Sequence, residues 1–463
     1  MALAIAALPS CEDENDMTIV PGPEAVEVAP QGASVGEGAT IDPTTSTIHI
    51  NYGTEIELGP EAKVNMSNGT VNSFAAEGQN LVVNVSLAPL SSYTLTVPST
   101  AVKAKGSKCY AVEYTLNFNT GRTVMNVIDA SKLSASLTNA NATAEAKAVF
   151  NLLKENYGKK QLSGAMGEVA WATGFYDEIT ALTGKAPAII GFDYIHLNSS
   201  APSSWIDYAD ITPVKSSWEA GAIPAMTWHW NVPTDKEGDN VEYNAKNDVF
   251  NAANVTVDGT WENGVAVKDV EKLAGYLKLL QDANIPVLWR PFHEAVGDYT
   301  WGHWFWWGNA GVEVTKDLWK WLRNKLENEY GINNLIWVWT VQTSDEGKLA
   351  SLDKLQAAYP GDDVVDIVGA DLYVDSYSNC SAEFELLYNL VGGKKLVALS
   401  ECGNLLDVNE AIADNALWSF FMSWYDWNEA ADKAGLGGQW NLGNEWTDVL
   451  NNPAVLNRGD FSF

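Results

Sequence analysis

The residues with most chemistry to offer stand together in the stretch Trp289-Arg290-Pro291-Phe292-His293-Glu294. It follows Ile285-Pro286-Val287-Leu288, an apolar run that reads as a buried parallel strand entered through proline. The strand therefore ends in Arg, His and Glu, groups that are costly to bury without partners. Trp301, Trp304, Trp306 and Trp307 come directly after. A carboxylate among flat aromatic plates suits a neutral, ring-shaped, polyhydroxylated ligand, meaning a sugar. The bland alternative is an Arg–Glu ion pair that plugs the end of a barrel, since ion-pair networks also occupy strand ends without catalysing anything.

A second glutamate, Glu401, closes the apolar run Lys395-Leu-Val-Ala-Leu-Ser-Glu401. Two carboxyls facing one glycosidic bond can cleave it with retention when one donates a proton and the other attacks the anomeric carbon. Their environments must then push their pKa values apart. Glu294 is the expected acid/base, because His293 and the tryptophans supply a partly apolar setting. Glu401 is the expected nucleophile, held ionised by the Tyr373 hydroxyl and by Arg290. Asp371 and Tyr373 are two apart and share a face of their strand.

Eight apolar strand runs alternate with helical segments after a helix around Glu145 to Tyr157: residues 161–165, 188–193, 223–229, 285–294, 335–340, 366–373, 395–401 and 418–424. That pattern predicts an α/β fold, a (β/α)8 TIM barrel over 145–463. A doubly wound open sheet is the alternative, but no Gly-rich phosphate loop follows the first run. Asp193, His229, Glu294, Tyr373 and Glu401 each fall at the C-terminal end of a run, the face on which barrel enzymes build their sites. Asp193 and Asp371 also admit purely structural roles. An insertion from Val232 to Val267 is placed to shape the cleft.

The chain has 463 residues, 46% hydrophobic and 11% aromatic with 20 Trp, so two or more packed domains are expected. Lys+Arg 28 against Asp+Glu 59 gives a net charge of −31, which argues against nucleic acid, an anionic membrane surface or a strongly acidic polysaccharide as partner. A neutral polymer is compatible with it. Residues 21–120 alternate in short segments between Gly, Pro, Asn and Ser turns, as in a small all-β Ig-like sandwich. This segment holds no tryptophan, so a spacer fits it better than a sugar-binding module. Cysteines at 11, 109, 380 and 402 make no disulfide framework, and Cys380 and Cys402 are expected as buried free thiols. No Cys/His cluster has metal-ligand spacing, and no cofactor is implied.

Within residues 1–20, the apolar stretch Met1 to Leu8 closes on Pro9-Ser10-Cys11 and an acidic run, Glu12 to Asp16. It resembles the end of a bacterial lipoprotein signal, without the usual basic n-region, with Cys11 as the lipidated residue. The acidic run resembles the tract that sends such proteins to the cell surface in Bacteroides-type bacteria. An exported, lipid-anchored monomer is the resulting expectation, touching membrane only through its anchor.

The motifs Trp289-Arg-Pro-Phe-His-Glu294, Trp304-Phe-Trp-Trp-Gly308, Thr227-Trp-His-Trp230, Gly369-Ala-Asp-Leu-Tyr373 and Leu399-Ser-Glu-Cys-Gly403 together resemble glycoside hydrolase family 26. The resemblance implies a retaining barrel with its acid/base, Glu294, on strand four and its nucleophile, Glu401, on strand seven. It implies His293 at the 2-hydroxyl of the sugar being cleaved, and His229 and Trp228 as sugar contacts. Trp306 or Trp307 matches the aromatic floor, and Trp424, with Trp427 close by, matches the platform. Arg290 and Tyr373 match the residues that orient the nucleophile. Ala295-Val296 departs from the Met-Asn that many members carry. The implied reaction is endo-hydrolysis of β-1,4-mannan, glucomannan or galactomannan. The alternatives are mixed-linkage β-glucan or β-1,3-xylan, or a surface lipoprotein that binds polysaccharide without turnover.

Overall fold

The computed structural model describes residues 28–88, 91–121, 128–200, 205–294, 304–345, 348–373, 380–425 and 443–463. Cys11, Trp301, the Ala295-Val296 departure and Trp427 lie outside them. The chain divides into two compact units, Met1–Thr123 and Val124–Phe463.

The first unit is all-β. One four-stranded sheet runs in the order Gly32–Ala33, Thr47–Asn51, Asn80–Ser86, Thr70–Glu77, and a second in the order Thr40–Ile41, Tyr114–Thr120, Ser92–Val97, Asn65–Met66. Strict alternation sorts the side chains: Tyr93, Leu95 and Val97 are buried while Thr94 and Thr96 between them are not. Ile48, Ile50, Leu81, Val83 and Val85 from the first sheet join them in one core. Tyr93 and Phe118 are register partners whose rings stack at 5.2 Å, a cross-strand pair of the kind that fixes register.

In the second unit, eight parallel strands close into a barrel: β1 Gly164–Met166, β2 Ile189–Asp193, β3 Ile223–Thr227, β4 Val287–Arg290, β5 Leu335–Val341, β6 Ile367–Leu372, β7 Leu396–Cys402 and β8 Phe421–Ser423. All eight predicted runs contribute one strand each. Helix Ala144–Asn156, capped by the Thr143 side chain on the Ala146 amide, stands where one was expected. Closure brings β8 against β1 so tightly that a Cβ on Gly164 would meet the Phe421 carbonyl oxygen at 2.5 Å. Cys380 and Cys402 are buried free thiols, as expected. Among the described residues no helix is long and apolar enough to cross a membrane.

The strands differ from the predicted runs mainly at their ends. The first run splits, Gln161–Leu162 pairing with Val455–Leu456 outside the barrel. The third stops at Thr227, leaving Trp228 and His229 beyond it. The fourth stops at Arg290, because Pro291 has no N–H to pair and Phe292 and Glu294 take left-handed φ values of 50° and 51°. Non-glycine residues in that region are held there by their surroundings, and such strain gathers at functional sites. The insertion after β3 is a short hairpin, Val232–Pro233 with Val241–Glu242, and helix begins within it at Trp261.

Candidate active site

Arg290, the last residue of β4, anchors the site. Its Nη1 donates to Asp371 Oδ2 of β6 and its Nη2 to Glu401 Oε2 of β7. All three side chains are buried. A register shift between Ala370 and Asp371 sets Asp371 directly opposite Glu401, and a further irregularity lies between Leu399 and Cys402. Bulges of this kind re-aim side chains, here both acids toward one guanidinium. Ser400 Oγ donates to the Ala370 carbonyl (3.1 Å) or to Asp371 Oδ1 (2.9 Å), and it lies 3.2 Å from Thr340 Oγ1. Tyr373 keeps 40% of its surface exposed, yet its hydroxyl turns inward and donates to Glu401 Oε1 at 2.5 Å.

Glu294 lies beyond the turn that follows β4, buried to 6% exposure. Carboxylate oxygens of Glu294, Asp371 and Glu401 all come within 4.8 Å of one another. Three acids share one fixed cation, and Arg290 touches only two of them. Burial, reinforced by the charges on Asp371 and Glu401, pushes the Glu294 pKa well above the usual carboxylate range, with Arg290 pulling weakly the other way. Burial likewise pushes the Asp371 pKa up, opposed by the charge on Arg290 beside it. Glu294 is the one acid of the three that the guanidinium does not touch, and so the one placed to hold a proton. The group could also be viewed as a cation site by its spacing, but the Arg290 guanidinium already stands between two of its three acids.

Two histidines form the opposite wall. Asp193, at the end of β2, pairs its Oδ2 with His229 Nδ1 at 2.5 Å and accepts the His229 amide on Oδ1 at 3.1 Å. His229 Nε2 lies 3.3 Å from His293 Nε2, and His293 Nδ1 lies 3.1 Å from Thr227 Oγ1. Burial, together with the charge on Arg290 and the neighbouring His229, drives the His293 pKa well below the imidazole range, so its ring is neutral.

Three expected sugar contacts stand elsewhere. Trp228, Trp306 and Trp307 are 1%, 0% and 0% exposed and offer no open face. Trp228 stacks on Trp230 at 4.1 Å, and Trp306 Nε1 donates to the Trp230 carbonyl at 2.7 Å. Trp307 Nε1 donates to the His293 carbonyl at 3.0 Å, while Phe305 stacks on its ring at 4.4 Å. Indoles packed this densely leave no face for a ligand, and Trp307 packs directly against His293, ring centroids 5.7 Å apart. Trp424 is partly exposed, with its ring 5.6 Å from His229, and Trp304 is 55% exposed. Sequence reasoning missed Gln342, whose Nε2 donates to Glu294 Oε2 at 3.0 Å. It is the first residue past β5, so the strand-end rule that found the other polar groups would have reached it.

The raised pKa of Glu294 has a signed consequence. A proton donor works while protonated, so activity is expected to fall as pH rises through the folded-state pKa of Glu294, well above the ordinary ~4.3 of a glutamate. A pH profile of kcat/KM checks this; an alkaline limb near the ordinary glutamate value would contradict it.

A closed parallel barrel with two buried glutamates facing each other after β4 and on β7 defines a glycosidase-type barrel. Residues 138–456 match the model of Glycosyl hydrolase family 26, and the chain belongs to that family. It is 35% identical over 302 residues to mannan endo-1,4-β-mannosidase A of Piromyces sp, covering 64% of this chain and 46% of the relative. The corresponding enzyme B is 36% identical, with 49% of its length covered, so the chain spans about half the length of these curated relatives. Among solved structures, the family 26 domain of an endo-β-mannanase/endo-β-glucanase from Prevotella bryantii is 37% identical with a TM-score of 0.62, covering 71% of this chain and 99% of that one. A ruminal family 26 endo-β-1,4-mannanase is 25% identical with a TM-score of 0.65, covering 91% of each chain.

Proposed function

We propose that this chain is a retaining endo-β-1,4-mannanase acting on mannan, glucomannan or galactomannan. The observation that carries the mechanism is the separation of the two glutamates, whose oxygens approach within 4.8 Å. Retaining enzymes hold their carboxyls about 5–5.5 Å apart, whereas inverting ones need about 6.5–9.5 Å to admit a water. The substrate class rests on relatives described as mannan endo-1,4-β-mannosidases at 35% and 36% identity.

Glu401, oriented by Arg290 and Tyr373, attacks the anomeric carbon while the protonated Glu294 gives its proton to the departing oxygen. A covalent mannosyl–Glu401 ester results, and the shortened polymer leaves. The ionised Glu294 then takes a proton from water, which opens the ester from the same face and releases the sugar with its configuration retained. His293, neutral and within reach of the cleft, contacts the axial 2-hydroxyl of mannose, with His229 beside it. Trp424 serves as the platform beneath the sugar ring. Asp371 acts through Arg290.

The decisive assay is reducing-sugar release on glucomannan, galactomannan, mixed-linkage β-glucan and β-1,3-xylan, with Glu294→Ala alongside. Hydrolysis of the two mannans, lost in the variant, is the expected result. Activity confined to the glucan or the xylan would overturn the substrate, and silence on all four would favour a binding protein.

The N-terminal unit fits an Ig-like spacer that holds the enzyme off a membrane to which Cys11 attaches it. The protein is then an exported, surface-anchored monomer. Detergent-phase partitioning of the full chain, lost in Cys11→Ala, tests that reading.

A further inference from the structure

We propose that Gln342 is a positioning residue for the acid/base: its side-chain amide dictates which oxygen of Glu294 carries the proton. The inference rests on the acid/base reading of Glu294 above. Trp289 of β4 and Trp337 of β5 are register partners, and Glu294 and Gln342 each stand five residues beyond that pair. The two chains thus leave the barrel side by side. Gln342 Nε2 lies 3.0 Å from Glu294 Oε2, and it is the hydrogen-bond partner of this carboxyl among the described residues. The charged groups facing Glu294 are Asp371 from β6, Glu401 from β7 and Arg290 from β4. None of them is hydrogen-bonded to it.

An amide NH2 can only donate. The oxygen that receives it, Oε2, is therefore the acceptor oxygen of the acid, and the acidic proton resides on Oε1. Without Gln342 the two oxygens would compete for the proton, and part of the population would hold it on the oxygen turned from the scissile bond. The same contact serves the second step. A hydrogen bond to a carboxylate is stronger than one to a neutral acid, so Gln342 favours the ionised base that must activate water. Burial, by contrast, opposes ionisation of Glu294.

The test uses Gln342→Met, close in shape but without a donor, in the full chain. Two substrates separate the steps: a manno-oligosaccharide, whose leaving group needs the acid, and a 2,4-dinitrophenyl β-mannoside, whose leaving group does not. On the oligosaccharide, kcat/KM is expected to fall by about tenfold, a fraction of the ~10²–10⁴ that a general acid supplies. On the aryl mannoside, kcat/KM is expected to stay within about twofold while kcat and KM fall together, because only water activation is slowed. The alkaline limb of the oligosaccharide profile is expected to move to higher pH. In a Glu294→Ala background, Gln342→Met is expected to leave the aryl-mannoside kcat unchanged, since the carboxyl it positions is gone. An equal loss of kcat/KM on both substrates with an unmoved limb, or a further loss in the Glu294→Ala background, would make Gln342 merely structural. Full oligosaccharide turnover by Glu294→Ala itself would instead remove the acid/base assignment on which the proposal stands.

Discussion

Glu401→Ala is expected to lose polysaccharide hydrolysis by on the order of 10⁴–10⁶, the scale on which removal of a covalent nucleophile acts. Arg290 and Tyr373 both direct hydrogen bonds at the Glu401 carboxylate, so two of its lone pairs are fixed and the attacking geometry is set before substrate arrives. The variant leaves a small space beside the guanidinium. A small anion such as azide, supplied with an activated mannosyl donor, can occupy that space and attack from the face Glu401 used. The product is then expected to be the α-mannosyl azide. In Glu294→Ala the space lies on the opposite face, where azide replaces the incoming water, and the β-mannosyl azide is expected. NMR of the anomeric centre reads both outcomes. The same azide configuration from the two variants would mean that the roles assigned to the glutamates are wrong.

The second large effect belongs to Arg290→Met. The guanidinium is buried and paired with two buried acids. Removing it strands both, and breaking a buried pair this way costs about 3–5 kcal/mol. All 20 tryptophans of the chain lie after residue 123, so tryptophan fluorescence during denaturant unfolding reports on the barrel unit alone. The midpoint is expected to fall, and to recover in part when Asp371→Asn is added, because one stranded charge then disappears. Activity is expected to be lost in both variants, since Arg290 also orients Glu401. A full-strength barrel in Arg290→Met would show that water, not the guanidinium, balances these acids.

Much of this molecule was legible in the chain. The eight apolar runs each became one barrel strand, because a strand buried on both faces must be apolar throughout and leaves an unmistakable run. The polar residues after those runs gathered at one end of the barrel because eight parallel strands put all their C-terminal ends on one face. Alternation in Ser92–Val97 and its neighbours likewise marked the first unit as all-β.

What the linear chain could not carry was orientation. Trp228, Trp306 and Trp307 have the residue type of a sugar platform, but type does not say which way an indole faces. Packing against Trp230, Phe305 and the His293 carbonyl turned all three into support. The run of residues 285–294 reads as one strand, and only the left-handed φ values at Phe292 and Glu294 take the glutamate out of the sheet. Gln342 stands just past β5, where a polar residue is legible, but its partner is not: the carboxyl 3.0 Å away lies 48 positions earlier in the chain. Hydrophobic pattern is a local property, so it marks where each strand lies but not the residue at which it ends. Which oxygens stand within 4.8 Å, and which acid is left without a cation, depend on β4, β6 and β7 meeting around one guanidinium. Those are distances between residues as many as 111 positions apart in sequence, Arg290 and Glu401, and closure of the barrel sets them together with the turn after β4 and the register shift in β6.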